Sequence, residues 1–119
     1  MKIILSHEQK VEDIAQQLKN RKSMNPVSLR KKVVSHEVPK MGDKRYSDEK
    51  IDVSALNEIL LIDQEKKICI AEPGVTFVDL AKATIKYGLV PIVVPELKTI
   101  TIGGAVSGCS IESMSYRYG

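Results

Sequence analysis

The stretch "ILLIDQEKKICIAEPGVTFVDLAKATIKYGLVPIVVPE" changes its hydrophobic period partway along, and that change constrains the fold more than any other feature of the chain. Ile68, Ile70 and Glu72 alternate with Cys69 and Ala71, the period of a strand, and "DQEKK" supplies a turn before them. The pattern predicts a hairpin of Ile59–Ile62 with Ile68–Ala71. From Thr76 the period becomes helical. Thr76 is a good N-cap, Asp79 falls in the first turn, and Gly88 ends the helix. Val78, Ala81 and Ile85, with Leu80 and Thr84 beside them, form its expected buried face. "LVPIVV" then reads as a buried strand that Pro91 pushes toward a sheet edge, which makes the whole stretch βαβ-like.

Upstream, Ser6 and Gln9 have capping-box spacing, and Val11, Ile14, Ala15 and Leu18 follow on one helical face. A helix is expected from about Glu8 to about Lys22, broken by Asn25-Pro26. "PVSLR" follows as a short strand. Lys31 to Lys50 reads as a long loop rich in mixed charge, with order resuming in a strand near Ile51–Val53. At 119 residues, 43% hydrophobic and 28% charged, the chain has enough apolar content for one packed domain and too much for a disordered segment. The expected class is α+β: a small mixed β-sheet with flanking helices.

The net charge of +3 is small but uneven, because Lys19, Arg21, Lys22, Arg30, Lys31 and Lys32 fall close together. That cluster is either a solvated face or an anion site. A nucleic-acid partner is not expected, since one Phe, four Tyr and no Trp leave few stacking platforms. Cys69 and Cys109 lack C-x-x-C spacing and suit two free thiols in a reducing compartment. "MKIIL" is too short for a signal-peptide core and no apolar run reaches membrane length. The expectation is a soluble, cytoplasmic protein without a membrane anchor in this chain.

"TIGGAVSGCS", residues 101–110, places Gly103 and Gly108 at P-loop spacing with Ser110 at the terminal hydroxyl position. The lysine that would balance phosphate charge is replaced by Cys109, and "PELKTI" is not the buried strand a P-loop requires. G-x-G-x-x-G is absent, which excludes the dinucleotide fingerprint. Two readings remain open from the residues alone. The stretch is a glycine turn, or it is an amide nest in which Gly103 and Gly104 take positive φ, Gly108 admits close approach, and Ser107 and Ser110 add hydroxyl donors.

Other reactive residues give less. His36 in the long loop is a solvated histidine or a covalent cofactor tether. Cys69 reads as core, and Cys109 has no base placed to use it. Asp43, Asp48, Glu49 and Asp52 lack metal-loop spacing, so no metal is expected. No triad or carboxylate pair is visible, and no catalytic residue is assigned.

The order of these segments resembles the FAD-binding domain of the vanillyl-alcohol-oxidase/PCMH flavoprotein superfamily. "IDVS", a short hairpin, "EPGVT", a helix ending in Gly88, a Pro-bracketed strand, "TIGG" and "YRYG" occur in that family's order. "PVSLRK", "VPEL" and "CSIES" look most like its sterol Δ24-reductase branch. The likeness runs from Pro26 to Gly119, with residues 1–25 as a leading strand and helix.

The resemblance implies that 1–119 is the N-terminal part of a PCMH-type FAD-binding domain, C-terminally truncated. Thr101, Gly103, Gly104, Ser107, Gly108, Cys109 and Ser110 match the loop that wraps the FAD diphosphate. Ile111, Glu112 and Ser113 continue it along the flavin side, and Pro95 and Glu96 match the turn leading in. Ser28 to Ser35 match the first phosphate-facing loop, which relatives make glycine-rich. Here "SLRKKVVS" carries charge instead, which points to Arg30, Lys31 and Lys32 as diphosphate partners. His36 is not in a Gly-Gly-His setting, so noncovalent FAD is implied. The implied function is cofactor grip in an FAD-dependent oxidoreductase, completed by a further C-terminal and substrate domain and inactive without it. The alternative is a non-catalytic fragment of the same fold that binds a nucleotide or a partner chain, with unpaired strand edges favouring self-association.

Overall fold

The structure, a computed structural model, describes residues 5–32 and 41–119. His36, and the part of the segment Ser28 to Ser35 that follows Lys32, lie outside the described residues. The chain divides into two units, 1–56 and 57–119.

In the first unit, helix α1 spans His7–Lys19. Its capping box is formed: the Ser6 amide donates to Gln9 Oε1 at 2.8 Å and the Gln9 amide donates to Ser6 Oγ at 3.3 Å. The helix ends before the expected Lys22, because the Lys22 amide donates to the Glu49 carboxylate at 3.1 Å instead of continuing the helical ladder. The expected apolar stripe is also only partly buried. Ile14 and Ala15 are half-covered, while Val11 and Leu18 are nearly half exposed.

Strands β1 (Val27–Arg30) and β2 (Glu49–Asp52) pair in parallel, with Leu29 opposite Ile51 and Arg30 opposite Asp52. A parallel pair needs a crossover between its strands, which gives the long intervening segment a structural use. That segment is not all loop: a 3-10 turn occupies Lys44–Ser47, and β2 begins at Glu49 rather than near Ile51. Among the described residues, Ile51 is the buried apolar residue of this unit. The Gln17 side chain binds β2 much as a neighbouring strand would, accepting the Asp52 amide at 2.7 Å and donating to the Asp52 carbonyl at 3.1 Å.

Carboxylates hold the connections of this unit, so its stability should depend on acid. Glu49 is lowered from its ordinary 4.5 by the Lys22 amide first and the Ser23 hydroxyl second. Asp52 is lowered by the hydroxyl and then the amide of Ser54, with the Arg30 charge contributing less. Asp43 falls to about 2 through its hydrogen bonds from Arg45. A carboxylate with a folded pKa below its unfolded one stabilises the fold above the unfolded value, and that contribution disappears as pH falls through the folded value. The first unit should therefore loosen as pH falls below 4.5, read as lower protection of the Lys22 and Ser54 amides relative to their intrinsic exchange at each pH. Identical protection at about pH 7 and about pH 3 would refute this.

The second unit opens with an antiparallel hairpin of β3 (Ile59–Asp63) and β4 (Ile68–Ala71), as the alternation predicts, with a register shift between Ile59 and Leu61. Its turn is tightened by Lys67 at φ 55° and by the Lys66 amide bonding Asp63 Oδ1 at 2.9 Å. Burial pushes the half-buried Cys69 thiol up, in keeping with a packing role. Helix α2 spans Phe77–Thr84, capped by Thr76, whose Oγ1 accepts the Asp79 amide at 3.2 Å and donates to Asp79 Oδ2 at 2.7 Å. A 3-10 turn over Ile85–Tyr87 extends it to Gly88 at φ 70°. The buried face is narrower than expected: Leu80 and Thr84 are covered, whereas Ile85 is 64% exposed.

Two expectations are corrected. "LVPIVV" is irregular chain rather than a strand, and Val90, Ile92 and Val94 are exposed. Pro91 removes a donor from that segment, and among the described residues no strand lies beside it to pair. Among the described residues, the single mixed sheet is instead two separate two-stranded sheets, one parallel and one antiparallel. Mixed helix and strand remain, as an α+β chain should have.

Candidate functional site

Thr101 anchors the glycine-rich stretch. It is buried, pairs with Thr76 in an isolated antiparallel bridge, and caps helix α3 (Ile102–Ser107). The stretch is thus helical through Ser107, where the sequence reading expects a loop. Neither Gly103 nor Gly104 has positive φ. The left-handed position falls later, on Cys109 at φ 49°.

Tracing each amide tests the nest reading directly. Ile102 donates to the Val75 carbonyl at 2.9 Å, Gly103 to the Pro73 carbonyl at 2.8 Å, and Gly104 to Thr101 Oγ1 at 3.1 Å. Gly108 donates to Gly104 at 2.9 Å, Cys109 to Val106 at 3.3 Å, and Ser110 to Ala105 at 3.0 Å. These donors are committed within the protein, so Gly103 and Gly104 form no anion nest in this structure. Gly103 does allow a close backbone approach, but to the chain itself: a Cβ there would stand 2.6 Å from Pro73 Cβ. Further along, the Glu112 amide bonds Ser115 Oγ at 2.9 Å, while the amides of Ile111 and Ser113 have no acceptor among the described residues.

Beside this segment lies an open cavity of about 260 Å³. Phe77, Val93, Pro95, Ala105 and Val106 form its apolar walls, and Cys109, Ser110 and Glu112 its polar edge. Ser110 Oγ donates to Glu112 Oε1 at 3.1 Å, which fixes that edge. The volume is below that of a pocket enclosing a whole drug-sized ligand, and far too small for a dinucleotide. Its chemistry fits a flat apolar ring with hydrogen-bonding groups on one side. A phosphate next to the Glu112 carboxylate would be repelled, so the diphosphate of a dinucleotide does not suit this cavity.

Of the sequence-derived candidates, Thr101 through Ser113 lie in the second unit, and Cys109, Ser110 and Glu112 reach the cavity. Arg30, Lys31 and Lys32 belong to the first unit, where all three are exposed at and just beyond the end of β1. Phe77, Val93, Ala105 and Val106 are cavity residues that sequence reasoning missed. Phe77 carries the one available signal, as the sole phenylalanine placed directly after a helix cap. Among the described residues, no group of three His, Cys, Asp or Glu could hold a metal, and no helix is long and apolar enough to cross a membrane.

Comparison with known proteins agrees on one family. Residues 3–119 match the model of an FAD binding domain. A Delta(24)-sterol reductase homologue of Caenorhabditis elegans is 44% identical over 70 residues, covering 59% of this chain and 13% of that protein. The Delta(24)-sterol reductase of Pisum sativum is 31% identical over 116 residues, covering 95% of this chain and 20% of the relative. The decaprenylphosphoryl-beta-D-ribose oxidase of Mycolicibacterium smegmatis is 36% identical over 67 residues, covering 56% and 14%. The chain therefore spans about a fifth or less of the length of these relatives. With a match running almost from end to end, this chain belongs to the PCMH-type FAD-binding domains.

Proposed function

We propose that this chain supplies part of a noncovalent FAD site in an oxidoreductase similar to the Delta(24)-sterol reductases. The observation that carries the reading is the FAD-domain match over residues 3–119. The cavity supports it, being apolar on its walls and polar on one edge, as an aromatic ring system requires. In this reading Thr101, Gly103 and Gly104 set the position of the segment rather than touch phosphate. Ser107, Gly108, Cys109, Ser110, Ile111, Glu112 and Ser113 line the cofactor. The amides of Ile111 and Ser113 keep donors available for it, and Arg30, Lys31 and Lys32 supply charge to the diphosphate. Bound FAD provides hydride acceptance and donation, while this chain's residues bind and orient it.

The substrate of the whole protein is read from relatives alone. A sterol-like alkene is favoured because the relatives with the longest coverage are named sterol reductases. A relative named as a decaprenylphosphoryl-ribose oxidase is similar over part of the same region, so in this reading substrate choice lies outside these residues.

Titration of the purified, flavin-free chain with FAD tests the cofactor reading. Saturable quenching of flavin fluorescence is expected, with flavin released into solution when the protein is precipitated by acid. Absence of saturable binding refutes the FAD reading, and flavin retained in the acid pellet refutes its noncovalent part.

A further inference from the structure

Glu72 is only 1% exposed, yet it carries a carboxyl group. A carboxyl group buried so completely is costly unless its oxygens find hydrogen-bond partners. The Glu72 amide donates to the Glu58 carbonyl at 2.8 Å, and Glu72 Oε2 accepts the Glu58 amide at 2.8 Å. Both backbone groups of Glu58 are thus held by one residue. The Glu72 carbonyl then accepts the Val75 amide at 3.1 Å, which closes the turn around Pro73.

Pro73 is the surface on which α3 rests. Its carbonyl accepts the Gly103 amide at 2.8 Å, and its ring leaves no room for a side chain at Gly103. A displacement of Pro73 would therefore reach Gly103 directly, through this contact and this hydrogen bond.

We propose that Glu72 is a positioning residue for the cofactor segment, acting through Pro73 and Gly103 to fix residues 101–113. The proposal rests on the FAD reading above and adds a residue with no contact to the cavity. Glu72→Leu keeps the approximate size and removes the acceptor. Glu72→Gln keeps one carbonyl acceptor for the Glu58 amide and exchanges the other oxygen for an NH2 donor. Leu80→Ala opens a cavity elsewhere in the same unit and serves as a control for stability alone.

Two measurements are made on each folded variant: FAD affinity, and hydrogen exchange at the Glu58, Ile102 and Gly103 amides. Glu72→Leu should weaken FAD by about tenfold and speed exchange at all three amides, as expected when a buried donor loses its partner. Glu72→Gln should fall between it and the wild type. Leu80→Ala should lower the melting temperature with FAD affinity unchanged. Equal affinity in Glu72→Leu and wild type overturns the proposal, as does an equal loss in Leu80→Ala. Should Glu72→Leu fail to fold, Glu72→Gln decides: faster exchange at Glu58 with Gly103 unchanged is a refutation. A wild-type chain that binds no FAD defeats the cofactor reading and this one together, whereas unchanged Gly103 exchange in a binding-competent chain defeats only the positioning role.

Discussion

Replacing Gly103 with alanine is expected to destabilise the second unit by about 1–3 kcal/mol, although alanine is the better helix former. On propensity alone the change should stabilise a helix by about 1 kcal/mol. Packing reverses the sign. The new Cβ would stand 2.6 Å from Pro73 Cβ and 3.0 Å from Pro73 O, distances that require movement. Pro73 has little freedom to move, being part of a ring and set in a turn closed by the bond from Val75 to Glu72. The strain therefore falls on α3, which must lift away and lengthen the 2.8 Å bond from Gly103 to Pro73. Gly104 provides the matched comparison. A Cβ there meets only Thr101 Oγ1, at 3.0 Å, on an exposed side of the same helix. Gly104→Ala should cost less than Gly103→Ala, since the propensity gain of about 1 kcal/mol is set there against one tight contact with the Thr101 hydroxyl rather than against the ring and backbone of Pro73. Urea unfolding of both variants measures the difference. Equal stabilities would show that Pro73 yields and that the wedge is not what requires glycine at 103. FAD affinity should fall in Gly103→Ala and persist in Gly104→Ala, the opposite emphasis from a phosphate nest in which both glycines face the ligand.

That contrast shows which parts of the chain are legible in its sequence. Local signals read well because their causes are local. Ser6 with Gln9, Thr76 with Asp79, and Gly88 each satisfy a nearby backbone group, and the structure shows all three in the expected role. The β3–β4 hairpin is legible for the same reason, since alternation and a turn lie within one short stretch. The order of motifs also identifies the family, because a sequence of weak signals is far more specific than any one of them. What fails depends on partners distant in the chain. "LVPIVV" has strand composition, but a strand exists only where another strand pairs with it. The parallel register of Leu29 with Ile51 depends on a crossover that no local pattern specifies. Gly103 is the sharpest case. Small residues in a row announce close backbone approach without saying what approaches, and here it is Pro73, thirty positions earlier. The cavity walls were missed for a related reason: Phe77, Val93 and Ala105 come from three separate segments and carry no reactive chemistry of their own.

Filling that cavity should weaken FAD binding more than about tenfold while leaving the fold intact. Val106 lines the cavity yet is 76% exposed, so a larger side chain can enter the open space without displacing a packed core. Val106→Trp is therefore expected to alter stability by less than about 0.5 kcal/mol, as a surface substitution does. The indole would occupy the space between Phe77 and Pro95 that the proposed ring needs, and both walls are apolar enough to hold it there. Loss of a ring-sized contact should weaken FAD by at least about 1.5–3 kcal/mol, the value of burying one large apolar group, or more than about tenfold. Val106→Ala enlarges the same opening and should retain binding, which separates blockage from loss of the valine itself. The measurement is a fluorescence titration of both variants beside the wild type, with urea unfolding to establish that stability is unchanged. Undiminished affinity in Val106→Trp would mean that FAD is held elsewhere on the chain. In that event the amides of Ile111 and Ser113, which have no acceptor among the described residues, become the place to look for its contacts rather than the apolar hollow.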